Sequence, residues 1–74
     1  MENTKTNNIN VKINGKDIKL ENSSTIAQML IERQVTGSMF VVEKNLQIVQ
    51  KEEYDQSEIE EGDVIEIVGF FGGG

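Results

Sequence analysis

Apolar and polar residues alternate near the start of the chain, in two short runs. Residues 9–13 place an apolar residue at every second position, which is the pattern of a β-strand with one buried face. The Asn14-Gly15 pair that follows accommodates the positive φ angles of a tight hairpin turn. Residues 17–20 alternate again, so the sequence predicts a first β-hairpin.

The pattern changes to a helical period after the first hairpin. Thr25 precedes an apolar run and Gln28 follows three residues later, which is the spacing of a capping box that satisfies backbone N–H groups at a helix start. The sequence predicts one short helix that begins after Thr25 and is terminated by Gly37. Its expected buried face, at helical spacing, consists of Ile26, Met29 and Leu30.

A second hairpin is predicted between the helix and the acidic part of the chain. Residues 39–42 and 47–49 are β-prone runs, and the Asn45-Leu46 pair lies between them as the turn. Met39, at the start of the first run, is expected to fill a gap in the core, because methionine side chains are flexible enough to fit irregular spaces.

The last third of the chain is an acidic, irregular segment followed by a strand. Residues 51–63 are rich in acidic side chains, and Tyr54 and Ile59 are their expected anchors to the core. We interpret the acidic residues as a solvated face, with complementarity to a basic groove in a partner as the alternative. Residues 64–68 (VIEIV) are the most β-rich stretch and predict a central strand.

These elements predict an α+β fold, because a single helix is set against a single sheet. We expect a mixed sheet of four to five strands, in which the first and last strands pair in parallel at the centre. The predicted domain covers residues 9–69. Residues 1–8 are polar and aperiodic and are expected to form a disordered arm, and residues 70–74 are expected to form a flexible glycine tail.

The composition excludes several classes of chemistry. The 74 residues include no cysteine and no histidine, which excludes disulfides, thiolate catalysis, sulfur-ligated zinc and histidine general bases. The net charge of −6 disfavours nucleic acid as a partner, and no run is apolar and long enough to span a membrane. We therefore expect a cytoplasmic domain with no catalytic residue and no metal site of its own.

Three consecutive glycines close the chain, and fold stability does not account for them, because glycine loses more backbone entropy on ordering than any other residue. A backbone without side chains can thread a slot too narrow for a Cβ atom. Gly72 and Gly73 would thus deliver the terminal carboxylate of Gly74 to a partner's active site. Fully extended, residues 70–74 reach roughly 18 Å. The alternative interpretation is a flexible linker.

Several of these segments occur in the order found in a known family. They are residues 9–15 (INVKING), residues 25–30 (TIAQML), Val42-Glu43, Ile48-Val49, Tyr54, residues 61–67 (EGDVIEI) and the glycine terminus. The chain resembles the ubiquitin-like β-grasp sulfur carriers of the ThiS/MoaD family, and most closely the ThiS carriers of thiamine biosynthesis. The resemblance covers residues 9–74. The parts that distinguish this family from other small α+β domains are Gly62-Asp63, directly before the last strand, and the glycine terminus.

The resemblance implies a β-grasp fold and a cycle of chemistry at Gly74. A ThiF-like adenylating enzyme would use ATP and Mg²⁺ to activate the carboxylate, and sulfur from a persulfide-carrying donor protein would convert it to a thiocarboxylate. A ThiG-like thiazole synthase would then take that sulfur for the thiazole of thiamine. The domain itself would bind no cofactor and would act as a co-substrate, not as an enzyme.

Two other functions share these features. A MoaD-type carrier for molybdopterin synthesis has the same fold and terminus, and a ubiquitin-like binding module would dock through its sheet without modification of the terminus.

Two residues depart from the family pattern and bear on partner preference. They are Leu46, where the family often has glycine, and Gly69, where a bulky or basic residue is common. The residues predicted to bind partners are Phe40, Ile48, Phe70 and Phe71. Burial is the alternative for Phe40 and Ile48. Phe70 and Phe71 are neighbours in an extended chain, so one of them is expected to point inward.

Overall fold

The computed structural model describes residues 8–37 and 39–69. In chain order, the elements of this part are the strands β1 (Asn8–Ile13) and β2 (Lys16–Glu21), the helix α1 (Ile26–Glu32), the strands β3 (Phe40–Lys44) and β4 (Gln47–Val49), a 3₁₀ turn at Lys51–Glu53, and the strand β5 (Val64–Gly69). The predicted order of elements is confirmed. β1 begins at Asn8, one residue before the predicted start of the domain. The rest of the arm and the predicted tail lie outside the described residues.

The strands of the described residues join one mixed sheet with the spatial order β2-β1-β5-β3-β4. β1 and β5 are parallel, and the other neighbouring pairs are antiparallel. This confirms the predicted α+β class, with the first and last strands side by side at the centre. Because the last strand is central, the chain continues past Gly69 from the middle of the sheet and not from its edge.

One face of the sheet is buried in the core, and the strands contribute alternate residues to it, as the period-two pattern predicts. Met29 lies in the core as predicted. Met39 is 66% exposed, so its predicted place in the core is wrong, because Phe40 and Val42 take the inward positions at the start of β3. The buried apolar residues of the described part are Ile9, Val11, Ile13, Leu20, Ile26, Met29, Leu30, Val42, Val49, Ile59, Ile65 and Ile67.

The helix start matches its prediction. The Thr25 Oγ1 accepts a hydrogen bond from the Gln28 backbone N–H (3.2 Å), and the Gln28 Oε1 accepts one from the Thr25 N–H (3.0 Å), which completes the capping box. The buried residues of the helix are Ile26, Met29 and Leu30, as expected. Across residues 8–37 and 39–69, no helix has the length and apolar content needed to cross a membrane.

The helix ends before the predicted Gly37. Gln34 adopts a positive φ of 62°, and its N–H donates to the Ile31 carbonyl oxygen (3.0 Å). The Val35 N–H donates to the Leu30 carbonyl oxygen (2.9 Å). These two bonds are those of a Schellman motif, which satisfies the last carbonyl groups of a helix. The prediction was wrong because it assigned the left-handed position of this motif to a glycine, whereas a glutamine occupies it.

Candidate functional site

The base of the tail is the end of the central strand. β5 pairs with β3 up to Gly69, which lies opposite Phe40. On the other side of β5, the Asn14 Oδ1 accepts a hydrogen bond from the Ile67 N–H (2.7 Å), beyond the last paired residues of β1. Hydrogen bonds on both sides thus give the end of β5 a rigid support. The predicted site residues that lie outside the described residues are Phe70, Phe71, Gly72, Gly73 and Gly74.

Gly69 allows β5 and β3 to approach closely. A Cβ atom at this position would lie 2.5 Å from the Phe40 Cα and 2.7 Å from the Phe40 Cβ, and it would also overlap the Met39 carbonyl oxygen. Contacts this short do not occur for real Cβ atoms, and backbone atoms cannot move aside unless the strand shifts. Glycine is therefore required at the residue from which the tail departs, a requirement that the sequence alone did not reveal.

We expect Gly69→Ala to destabilise the domain by about 1–3 kcal/mol, as overpacking does at tightly packed sites. The measurement is urea unfolding followed by circular dichroism. Val68→Ala is the control, because it shortens an exposed side chain on the neighbouring residue and should cost less stability. An unfolding midpoint of Gly69→Ala equal to that of the wild type would contradict the close contact.

On the face of the sheet opposite to the core, Val64 is exposed at the start of β5, and we call three further exposed apolar side chains, Val41, Ile48 and Val68, the outer patch. They are 45%, 59% and 58% exposed, respectively. Val41 lies directly opposite Val68, and Ile48 lies opposite Glu43, which is two residues after Val41 and on the same face. Because Val68 belongs to β5, the outer patch adjoins the strand end from which residues 70–74 continue.

Phe40 and Ile48 lie on opposite faces of the sheet, so these two predicted partner-binding residues do not form one surface. Phe40 is half-buried against the core, and its ring stacks on that of Tyr54, with centroids 6.4 Å apart and planes at 11°. Val42, two residues on, is fully buried. The placement of Ile48 follows from the register of the second hairpin, which pairs Ile48 with the outward Glu43. The role of Phe40 and Ile48 in partner binding stays a prediction.

Sequence reasoning missed Val41 and Val68 as surface residues. Each is a neighbour in the chain of a buried residue, Val42 for the first and Ile67 for the second. Successive side chains of a strand point to opposite faces, so only one residue of each pair can lie in the core. That alternation is the signal that could have identified them, but a continuous apolar run conceals it.

The outer face is acidic beside the outer patch. Glu43 and Glu66 lie directly opposite each other on β3 and β5, and like charges in directly opposed positions destabilise a sheet. A partner that brings a basic side chain to this face would relieve the repulsion. Charge complementarity therefore favours a partner with basic residues around its contact surface.

Gly62 and Asp63 shape the entry into β5. Gly62 has a φ of 85°, and its N–H donates to the Asn10 carbonyl oxygen (2.8 Å). The Asp63 Oδ2 accepts a hydrogen bond from the Glu60 N–H (2.8 Å), and the Oδ1 accepts one from the Asn45 Nδ2 (3.0 Å). This part of the acidic segment is therefore structural, whereas the sequence interpretation assigned it to a solvated face.

The described residues are suited to binding a partner and to supporting the end of β5, and less to acid–base chemistry. Within residues 8–37 and 39–69, no three potential ligands gather in a way that could hold a metal ion. Burial raises the pKa of the Tyr54 phenol above its ordinary value, so this group is an even weaker acid than an exposed phenol and stays neutral at physiological pH. The arrangement provides a rigid strand end and, next to it, an apolar and acidic surface.

Comparison with known proteins finds relatives over most of the chain. The model of the ThiS family matches residues 5–74. The sulfur carrier protein ThiS of Bacillus subtilis is 42% identical over 65 residues, which cover 86% of this chain and 98% of that protein. A thiazole synthase of Paramagnetospirillum magneticum is 42% identical over 62 residues, which cover 84% of this chain and 19% of that protein.

A solved structure agrees with the fold. The crystal structure of the thiamine biosynthesis protein ThiS from Geobacter metallireducens matches this chain with a TM-score of 0.76 at 28% sequence identity, and the match covers 89% of this chain and 100% of that one. The predicted β-grasp fold is confirmed, and of the two carrier types that the sequence left open, the relatives support the thiamine carrier. The chain belongs to the ThiS family, the sulfur carriers of thiamine biosynthesis.

Proposed function

We propose that this chain carries sulfur as a thiocarboxylate on Gly74 and delivers it to a thiazole synthase. On a ThiF-like adenylating enzyme, an oxygen of the Gly74 carboxylate attacks the α-phosphorus of ATP, and pyrophosphate leaves. A persulfide sulfur of the donor protein attacks the carbonyl carbon of the adenylate, and AMP leaves. A thiol then cleaves the S–S bond and frees the thiocarboxylate. Activation comes first because a carboxylate is a poor electrophile until one oxygen becomes a good leaving group.

The central position of β5 is the observation that carries this proposal. β5 ends at Gly69, where it is held against β3 by the close approach to Phe40. The five residues that follow can span roughly 18 Å when extended. A carrier needs this combination of a rigid body that a partner can hold and a side-chain-free end that reaches catalytic groups. The folded domain supplies no catalytic residue in this cycle and serves as a protein co-substrate.

The outer patch supports docking to the adenylating enzyme. An enzyme that covers Val41 and Val68 also has the start of residues 70–74 within its contact area, because Val68 is on the last strand. The apolar side chains suit the core of an interface, and the facing carboxylates of Glu43 and Glu66 suit basic residues at its rim. A surface of this kind, placed beside the reactive end, would direct the tail into the active site.

The relative from Paramagnetospirillum supports the proposed acceptor of the sulfur. The segment that matches this chain makes up 19% of a protein named thiazole synthase, so a domain similar to this chain is part of the same polypeptide there. Covalent linkage raises the effective concentration of two modules that must meet. We infer that a ThiG-like synthase accepts the sulfur from Gly74, and that the cycle takes place in the cytoplasm.

Intact-mass spectrometry tests the proposal, after incubation of the chain with ATP, Mg²⁺, a sulfide source and a ThiF-like adenylating enzyme. We expect a mass gain equal to the replacement of one oxygen by sulfur, localised to Gly74 by fragmentation. A parallel incubation without ATP is the control and should give no gain. If the folded chain gains no mass with adenylating enzymes of this type, the carrier cycle is wrong and a docking module is favoured.

A further inference from the structure

The two hairpin turns of this chain have similar backbone conformations but different residues. In the first turn, Asn14 and Gly15 have φ angles of 51° and 83°. In the second turn, Asn45 and Leu46 have φ angles of 54° and 70°. Glycine tolerates this left-handed region, whereas the Cβ of leucine crowds the following carbonyl oxygen. Leucine therefore destabilises the second turn in a way that glycine does not destabilise the first.

Packing does not compensate for the strain at Leu46. Its side chain is 88% exposed, which is the highest exposure among the large apolar side chains of the described residues. An exposed leucine leaves nearly all of its apolar surface in water, so the fold gains little from it. A strained residue that the fold does not use is an indication of function at that position.

The remainder of the second turn is firmly fixed to the sheet. The Asn45 Oδ1 accepts a hydrogen bond from the Val64 N–H (3.0 Å), and the Asn45 Nδ2 donates to the Asp63 Oδ1 (3.0 Å). The Asn45 backbone N–H donates to the Val64 carbonyl oxygen (2.8 Å). These bonds tie the turn to the start of β5, so that Leu46 is presented from a defined position. Less conformational entropy is then lost when a partner binds it.

We propose that Leu46 is a partner-binding residue whose side chain enters an apolar pocket of the adenylating enzyme, an inference that rests on the proposed function above. Leu46 lies two residues before Ile48 of the outer patch, so one partner surface can contact both. Gly69, which residues 70–74 follow in the chain, lies opposite Phe40 at the other end of β3, about 16 Å away at the rise of a strand. An enzyme that contacts Leu46 and the tail therefore covers the full length of β3.

The chemistry of activation favours the adenylating enzyme as the occupant over the thiazole synthase. Before activation, the reactive group is an ordinary carboxylate on glycine, which carries no side chain that an enzyme could recognise. The adenylating enzyme must therefore identify its substrate through the folded body. After loading, the thiocarboxylate is itself a distinctive group, so the thiazole synthase depends less on a contact as remote from the tail as Leu46.

The test compares the wild type with Leu46→Asn and Leu46→Gly in ATP–pyrophosphate exchange with the adenylating enzyme and in thermal unfolding. Asparagine and glycine both tolerate the left-handed region, so we expect Tm to rise by about 2–4 °C. We expect KM for the chain to rise about tenfold, as at a hot-spot residue, with kcat unchanged. A more stable fold together with weaker binding separates partner binding from a structural role, because loss of a structural contact would lower Tm.

The matched control is Gly15→Leu, which puts leucine into the equivalent position of the first turn. It should lower Tm and leave KM unchanged. If KM is unchanged in both Leu46 variants, the inference is overturned. The carrier function still stands in that case, because the wild-type chain supports exchange. A loss confined to sulfur transfer to the thiazole synthase would overturn the choice of partner. Absence of exchange with the wild-type chain would overturn the carrier function and this inference together.

Discussion

A chain extended by one alanine after Gly74 is expected to remain folded and to accept no detectable sulfur. The extension moves the terminal carboxylate by about 3.6 Å and adds a Cβ atom at the reacting residue. A passage that admits only a bare backbone excludes that atom, and the carboxylate no longer meets the α-phosphorus of ATP. Intact-mass spectrometry under the loading conditions described above measures the effect, and circular dichroism verifies the fold.

The control for the extended chain is the same alanine added before Met1, which should load like the wild type. Sulfur loading of the C-terminally extended chain at the wild-type rate would show that the position of the terminal carboxylate does not matter. In that case, the proposed threading of Gly72 and Gly73 into a partner's active site would be wrong.

Val42→Asp is expected to abolish the folded state, whereas Val41→Asp, one residue away, is expected to leave it intact. Val42 is fully buried and Val41 is 45% exposed. An unpaired carboxylate in the core costs several kcal/mol, which is comparable with the whole stability of a small domain. At position 41 the same carboxylate remains hydrated. Thermal unfolding by circular dichroism distinguishes the two variants.

Val41→Asp should also raise KM for the adenylating enzyme, because it removes apolar surface from the outer patch and places a charged group at the apolar centre of the proposed interface. Val41→Ala is the milder companion and should raise KM less. Loss of cooperative unfolding in Val41→Asp would contradict the assignment of faces in β3. An unchanged KM in both variants would exclude Val41 from the docking surface.

The predictions for Val41 and Val42 assign different roles to the two faces of one sheet. The inward residues of β3 and β5 hold the domain together, and the outward residues of the same strands are available to a partner. A carrier of this size can therefore be recognised without a dedicated binding domain. The close approach at Gly69 holds the end of β5 against β3, next to the outer patch.

Local patterns predicted the elements whose geometry depends on neighbouring residues in the chain. Asn14-Gly15 identified the first turn because few residue pairs tolerate two positive φ angles. Thr25 and Gln28 identified the helix start because their side chains bond backbone groups three residues apart. Such contacts close within a few residues, so the sequence alone is sufficient to predict them.

Predictions that depend on distant pairing were less successful. Phe40 and Ile48 were grouped as partner-binding residues, but the register of β3 with β4 places them on opposite faces. The helix end was also misplaced, but for a local reason. Gln34 takes the left-handed position, and the bonds that close the helix run from Gln34 and Val35 to Ile31 and Leu30. Glycine is the commonest residue at that position, so the sequence favoured Gly37.

The sequence by itself determined the class of the fold, the two turns, the helix cap and the chemistry that is absent, because these follow from local periodicity and from composition. Only the tertiary structure decided which valines face outward and that Gly69 must lack a side chain. Those properties depend on strand order and register, which are set by contacts between residues far apart in the chain. The hydrophobic pattern along one strand does not specify which residues of the adjacent strands lie opposite it.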